Sequence, residues 1–197
     1  MRKLIASMNI TFDGNCDHTA GIANAELHDY YTTMLNNADT ILYGRTTYEL
    51  MELYWPNLVK NPTGEKNMDD FANPIDRIGK VLFSRTRKTV TWNNTVLATQ
   101  SLADEVTALK RQPGADILVG SPSLIAQLTE LDPIDMWQIC VHPMITGPGL
   151  PLFKDLTKPV ALKLLKTEKF ETSDHVVFWY ERERGNRILG ALCFPDR

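Results

Sequence analysis

The chain has 197 residues, 43% of them hydrophobic and 23% charged, and its 21 lysines and arginines against 24 acids leave a net charge of −3. That length and composition predict one globular domain with a core that needs neither metal nor disulfide. They argue against a nucleic-acid partner, which favours a basic surface. No apolar run reaches the roughly 18 residues that cross a bilayer, so no membrane partner is expected. The apolar stretch after Met1-Arg2-Lys3 is too short for a secretory signal. Cys16, Cys140 and Cys193 are odd in number and far apart, which suggests reduced thiols in a cytoplasm. With His18, His28, His142 and His175 they form no paired zinc-ligand motif, so no metal is expected.

Taken in chain order, Lys3 to Ile10 reads as a strand that ends at the Asp13-Gly14 turn. Asn24 is positioned to cap a helix from Ala25 to Asn36, with Leu27, Tyr30, Tyr31, Met34 and Leu35 at helical spacing. Thr40 to Tyr43 is a short strand stopping at Gly44. Thr46 or Thr47 then caps a helix expected to fade by Trp55-Pro56, because proline disfavours helix in the residue before it. Residues Asn57 to Asn73 read as a polar loop with short helical content near Met68-Phe71. Lys80 to Ser84 is a buried strand, and Thr89 to Leu97 predicts one or two short strands. Ser101 caps a helix to about Gln112. Asp116 to Val119 is a strand, and Ser121 to Leu131 is a helix opened by Pro122. Met136 to Val141 is a strand, Pro143 to Pro151 a rigid loop, and Val160 to Thr167 with His175 to Glu181 an antiparallel pair at one edge. The alternation predicts a three-layer αβα sandwich around a mixed, mostly parallel sheet. The domain is expected to span residues 1–184, with 185–197 a tail that either packs on the body or a partner through its apolar residues or frays.

Two junctions, Tyr43-Gly44-Arg45-Thr46-Thr47 and Val119-Gly120-Ser121-Pro122-Ser123-Leu124, each put a glycine and hydroxyl residues at a helix start that follows a buried strand. Free N–H groups and the positive helix end suit such places to anions, and two in one sheet suit a dinucleotide pyrophosphate. The same residues also serve if glycine simply ends the strand and a hydroxyl caps the helix. Neither junction carries the six-residue glycine pattern of dinucleotide-binding Rossmann domains or a Walker A loop. After a third strand, Ser84-Arg85-Thr86-Arg87 offers guanidinium groups for a phosphate or, equally, a solvated basic turn.

In order and spacing, five segments resemble the dihydrofolate reductase-like superfamily, in the branch that shares the C-terminal reductase domain of bacterial riboflavin biosynthesis proteins. They are Ala6 to Gly14, Leu42 to Glu49, Leu82 to Thr86, Ile117 to Leu124 and His142 to Phe153. With the late strands they span residues 3 to about 182. The resemblance implies a cytoplasmic homodimer that binds NADPH and reduces a small heterocyclic molecule. In the riboflavin branch that molecule is the phosphorylated aminopyrimidine 5-amino-6-(5-phosphoribosylamino)uracil. It implies that Gly44, Arg45, Thr46 and Thr47 surround the cofactor phosphates. Ser84 and Arg85 would hold the adenosine 2′-phosphate, and Gly120, Ser121, Pro122, Ser123 and Leu124 would wrap the pyrophosphate and nicotinamide side. The loop from Asn9 to Gly14 would cover the nicotinamide with Asp13 near the substrate, and Gly147 to Leu150 would form another wall.

The chain departs from the superfamily at two places. Where folate reductases carry an acid on the first helix this chain has His28, flanked by Glu26 and Asp29, so Asp13, His28 and Glu26 are the candidate proton-handling residues, and His28 serves equally well as a packing residue. Where the superfamily has two glycines this chain has Gly120-Ser121, predicting either a trans peptide or a strained cis one. The missing acid also keeps open a non-catalytic nucleotide-binding protein that retains the fold.

Overall fold

A computed structural model describes residues 1–154 and 156–183. The predicted tail, 185–197, lies outside the described residues. The elements are β1 (Leu4–Thr11), α1 (Ala25–Asn36), β2 (Ala38–Gly44), α2 (Arg45–Lys60), α3 (Lys66–Arg77), β3 (Gly79–Phe83) and β4 (Thr95–Leu97). They continue with α4 (Leu102–Arg111), β5 (Asp116–Val119), α5 (Pro122–Leu131), β6 (Met136–His142), β7 (Leu162–Lys169) and β8 (Val176–Arg182).

The eight strands form one sheet in the order β4-β3-β2-β5-β1-β6-β8-β7. From β4 to β6 the neighbours are parallel, and β8 pairs antiparallel with both β6 and β7. Alternation along the strands divides the core in two. Leu4, Ala6, Leu42, Ile117 and Val119 point to one side and pack with Val106 and Leu109 of α4 and Leu124, Ile125 and Leu128 of α5. Ile5, Ile41, Tyr43 and Leu118 point to the other and pack with Leu35 of α1, Tyr48, Trp55 and Leu58 of α2 and Phe71, Ala72 and Ile75 of α3. This is the expected αβα sandwich with a mixed sheet.

Local chemistry explains where helices start. Asn24 caps α1 by accepting the Leu27 amide at 2.8 Å, and Ser101 caps α4 by accepting the Asp104 amide at 3.2 Å. Two expectations are corrected. Helix α2 starts at Arg45, with Gly44 as its cap residue, and runs through Pro56 to Lys60. Proline removes one backbone donor, but the buried Trp55 ring lies 4.5 Å from Phe71, and this packing outweighs the local break. The expected loop at 57–73 is replaced by the end of α2 and by most of α3. Met68, Phe71, Ala72 and Ile75 give α3 an i, i+3, i+4, i+7 apolar stripe on an otherwise polar helix.

Candidate active site

Helices follow parallel strands here, so several helix N-termini gather at the carboxyl edge of the sheet, where open α/β sheets bind ligands. A cleft of about 1090 Å³ opens there. That is slightly above the roughly 300–1,000 Å³ typical of ligand pockets, so the cleft is roomy. Its floor is the end of β1, from Met8 to Thr11, with Gly120 after β5. The first turns of α2 (Thr46, Thr47) and α5 (Pro122, Ser123) form one wall. Leu27, His28 and Tyr31 of α1, with Trp55 and Phe71, form another, and Leu150, Pro151 and Leu152 close a third.

The two glycine junctions meet in space. β2 and β5 are neighbouring strands, and the buried Gly44 amide donates to the Ser121 hydroxyl at 2.9 Å. Ser121 therefore joins the two helix starts and does not cap its own helix. A Cβ at Gly44 would sit 3.2 Å from Ser123 Oγ and 3.7 Å from Leu124 Cγ, so the small residue is what lets the junctions come together. Neither α2 nor α5 has a side-chain cap or an acid in its first turn. Their leading N–H groups and positive ends thus face the cleft without a negative partner. Among the described residues every peptide bond is trans, Gly120–Ser121 included.

The individual candidates divide. Thr46, Thr47, Gly120, Pro122 and Ser123 line the cleft, whereas Ser121 and Leu124 are buried beneath it. Arg45 is exposed and pairs with Glu49 at 3.0 Å. Ser84 and Arg85 lie outside the cleft, on the loop after β3. Phe83 is the register partner of Gly44, so this loop sits beside the start of α2. Ser84 Oγ accepts the Arg87 amide at 2.9 Å, and Arg85 is exposed. Arg87 is committed to Glu52 at 2.7 Å and lies 4.9 Å over the Tyr48 ring.

Of the three proton-handling candidates, His28 alone lines the cleft. Its ring meets Trp55 and Phe71 edge-on at 6.4 and 5.8 Å. Burial holds its pKa below the ordinary histidine value. Asp13 turns away, accepting from the Thr11 hydroxyl and from the Gly147 and Thr146 amides at 2.8 and 3.2 Å. These hydrogen bonds, the Thr11 one first, hold its carboxyl below the usual range. Glu26 latches α1 to the β7–β8 turn through the Thr172 hydroxyl at 2.6 Å and the amides of Glu171 and Thr172. The expected loop over the cleft from Asn9 is still strand as far as Thr11. From the 147–150 segment, Leu150 alone reaches the wall.

Other cleft residues emerge only from the fold. Tyr31 donates to Asn9 Oδ1 at 2.8 Å, and Ser7 donates to Gln138 Oε1 at 2.6 Å beneath it. His142, at the end of β6, is 2% exposed and also lines the cleft. The sequence signal for Tyr31 was its helical spacing, which does not distinguish a core face from a site wall; Trp55 read as a helix end and Phe71 as part of a polar loop, so neither stood out. Among the described residues no group of three or more His, Cys, Asp or Glu could hold a metal ion. No described helix is long and apolar enough to cross a membrane.

Comparison with known proteins agrees with this architecture. The sequence profile of the RibD C-terminal domain matches residues 2–176. The uncharacterized protein YyaP of Bacillus subtilis is 32% identical over 175 residues, covering 87% of this chain and 90% of that protein. A putative riboflavin biosynthesis protein of Shewanella sp. PV-4 superposes with a TM-score of 0.68 at 17% identity, covering 92% of this chain and 99% of that one. Dihydrofolate reductase from Enterococcus faecalis, solved with NADP(H), superposes at 0.60 with 13% identity, covering 92% and 96%. Both structures share the fold, and the sequence match assigns the family: this chain belongs to the RibD C-terminal domain family.

Proposed function

We propose that the protein is an NADPH-dependent reductase of a small heterocyclic substrate, in the manner of 5-amino-6-(5-phosphoribosylamino)uracil reductase. One observation carries the reading: two helix starts, uncapped and free of acids, are joined by the Gly44 amide and Ser121 hydroxyl at the edge of one cleft. That arrangement suits a pyrophosphate, and the close approach that Gly44 allows brings the two helix starts near enough to share one. Thr46, Thr47, Pro122 and Ser123 would hold its phosphates. Ser84 and the exposed Arg85, one strand over, suit a 2′-phosphate, since a guanidinium matches phosphate geometry. NADPH, when bound, supplies hydride.

The chain's own residues would do the rest. Trp55, Phe71, Leu27 and Leu152 exclude water from the substrate side of the cleft. His28, the family-position candidate, is the lining group best placed to pass a proton from solvent. Asp13 and Glu26 support the loop at 144–147 and the β7–β8 turn. Lys154 is the one lysine or arginine among the described lining residues, and it would be the cationic partner there for a phosphate on the substrate. A cytoplasmic homodimer completes the reading. It is consistent with the buried, unpaired Cys16 and Cys140 and with the exposed Leu162, Leu164 and Leu165 on edge strand β7.

A second reading, a nucleotide-binding protein without turnover, is favoured by one fact: neither Asp13 nor Glu26 lines the cleft. One experiment separates the two. NADPH should quench tryptophan emission, and its absorbance should fall when a pterin, pyrimidine or quinone acceptor is added. Quenching without oxidation for every acceptor selects the second reading, and no quenching rejects both.

A further inference from the structure

Asn9 has one end of its side-chain amide fixed and the other open to the cleft. Residues an even number apart on a strand share a face, so Asn9 points with Ile5 toward the side of the sheet that α1, α2 and α3 cover. There the Tyr31 hydroxyl lies 2.8 Å from its Oδ1. A hydroxyl has one proton to give. The other acceptor within reach, Gln138 Oε1, is farther at 3.4 Å and already takes the Ser7 proton at 2.6 Å. Tyr31 therefore donates to Asn9 Oδ1, which leaves Nδ2 on the opposite branch with two N–H donors. Nδ2 has no hydrogen-bond partner among the described residues. Unlike Gln138 Nε2, it is not sealed in the interior. Asn9 is half-buried and lines the cleft, so these donors open to the space a ligand would fill.

Tyr31 and His28 are three apart on α1, so they belong to one face of that helix. The wall around them is apolar, with Leu27, Trp55 and Phe71. The two acids among the described lining residues, Asp17 and Glu130, are engaged elsewhere. Asp17 accepts the Thr19 amide and hydroxyl at 2.8 and 2.6 Å, and Glu130 accepts the Thr157 hydroxyl at 2.9 Å. A ring lying along this wall thus meets the Asn9 donors and no uncommitted carboxylate. We propose that Asn9 sets substrate specificity by donating Nδ2–H to a carbonyl oxygen of the bound heterocycle, with Tyr31 as its positioning residue. This rests on the cleft being the reductase site. A heterocycle whose edge carries amino groups in place of carbonyls would set donors against donors there, and polar groups left unpaired in this way are what reject a wrong ligand.

Two probes test this in protein saturated with NADPH: 5-aminouracil, which has two ring carbonyls, and 2,4-diaminopyrimidine, which has none. Wild type should bind 5-aminouracil roughly tenfold or more tightly than 2,4-diaminopyrimidine. Asn9→Asp keeps an acceptor for Tyr31 but turns an acceptor toward the ligand, so the preference should reverse. In 1H–15N spectra of labelled wild type, the assigned Asn9 side-chain amide pair should move when 5-aminouracil is added, a reading that does not depend on how any variant folds. Tyr31→Phe should shift that pair in the unliganded protein and weaken 5-aminouracil about threefold. An Asn9 amide pair that 5-aminouracil leaves unmoved overturns the proposal, as does a folded Asn9→Asp variant with the wild-type preference. Failure of the underlying reductase reading shows separately, as NADPH that neither quenches emission nor raises the melting temperature.

Discussion

The start of α1 or α4 and the start of α2 or α5 treat the same physical problem in opposite ways. Asn24 and Ser101 cap their own helices, and Glu26, Asp104 and Glu105 add negative charge to those first turns. Each satisfies orphan amides and complements the helix dipole from within. Helices α2 and α5 have neither provision, and theirs are the first turns that meet across Gly44 and Ser121 in the cleft. Capping inside the fold gives stability, whereas leaving the ends open gives up part of it and creates a place for a ligand's negative charge. Natural chains depart from local rules of this kind most often where they function.

The comparison can be broken or sharpened in several ways, the largest first. Acid should destabilise the fold chiefly through its buried histidines. His142, pushed down to about 4 from its ordinary 6.5, takes its proton later in the folded chain than in the unfolded one. Stability is therefore full above pH 6.5 and falls as pH drops toward 4, by roughly 3 kcal/mol in all. His28 and His175 are lowered too and add in the same direction. Urea melts across that range check it, and a His142→Phe variant should flatten the slope. Next, Thr46→Asp puts a carboxylate in the first turn of α2. The helix should gain a few tenths of a kcal/mol from its dipole, while NADPH affinity falls roughly 30- to 100-fold, or about 2–2.7 kcal/mol. Fluorescence titration beside thermal melts reads both. Ser121→Ala leaves the buried Gly44 amide without an acceptor, costing about 1–2 kcal/mol of stability and weakening NADPH binding as well. Smallest is Ser101→Ala, which should cost about 1 kcal/mol in melts and leave NADPH binding unchanged.

Much of this was legible locally. Helix α1 and its cap, strand β5, the start of α5 at Pro122 and both glycine junctions are written in short stretches of sequence. What depended on distant partners was not. Nothing in Gly44 or Ser121, 77 residues apart, says that they touch, because β5 inserts between β2 and β1 only in the folded sheet. Asp13 and Glu26 looked like proton carriers by their place in the family pattern, yet their partners are amides 134 and 145 residues along the chain. Pro56 is a local stop signal that Trp55 packing overrides, and the stripe on α3 was obscured by its polar neighbours. His142 needed Ile22 and His175 beside it before its burial could be seen.

The most direct test of the paired open helix ends is a titration of wild-type protein and Thr46→Asp with NADPH, following tryptophan emission and melting temperature together. The account predicts saturable quenching and a raised melting temperature in the wild type, both largely lost in the variant although its unliganded form melts no lower. A wild type that millimolar NADPH leaves unchanged, or a variant that binds it equally well, would contradict the account.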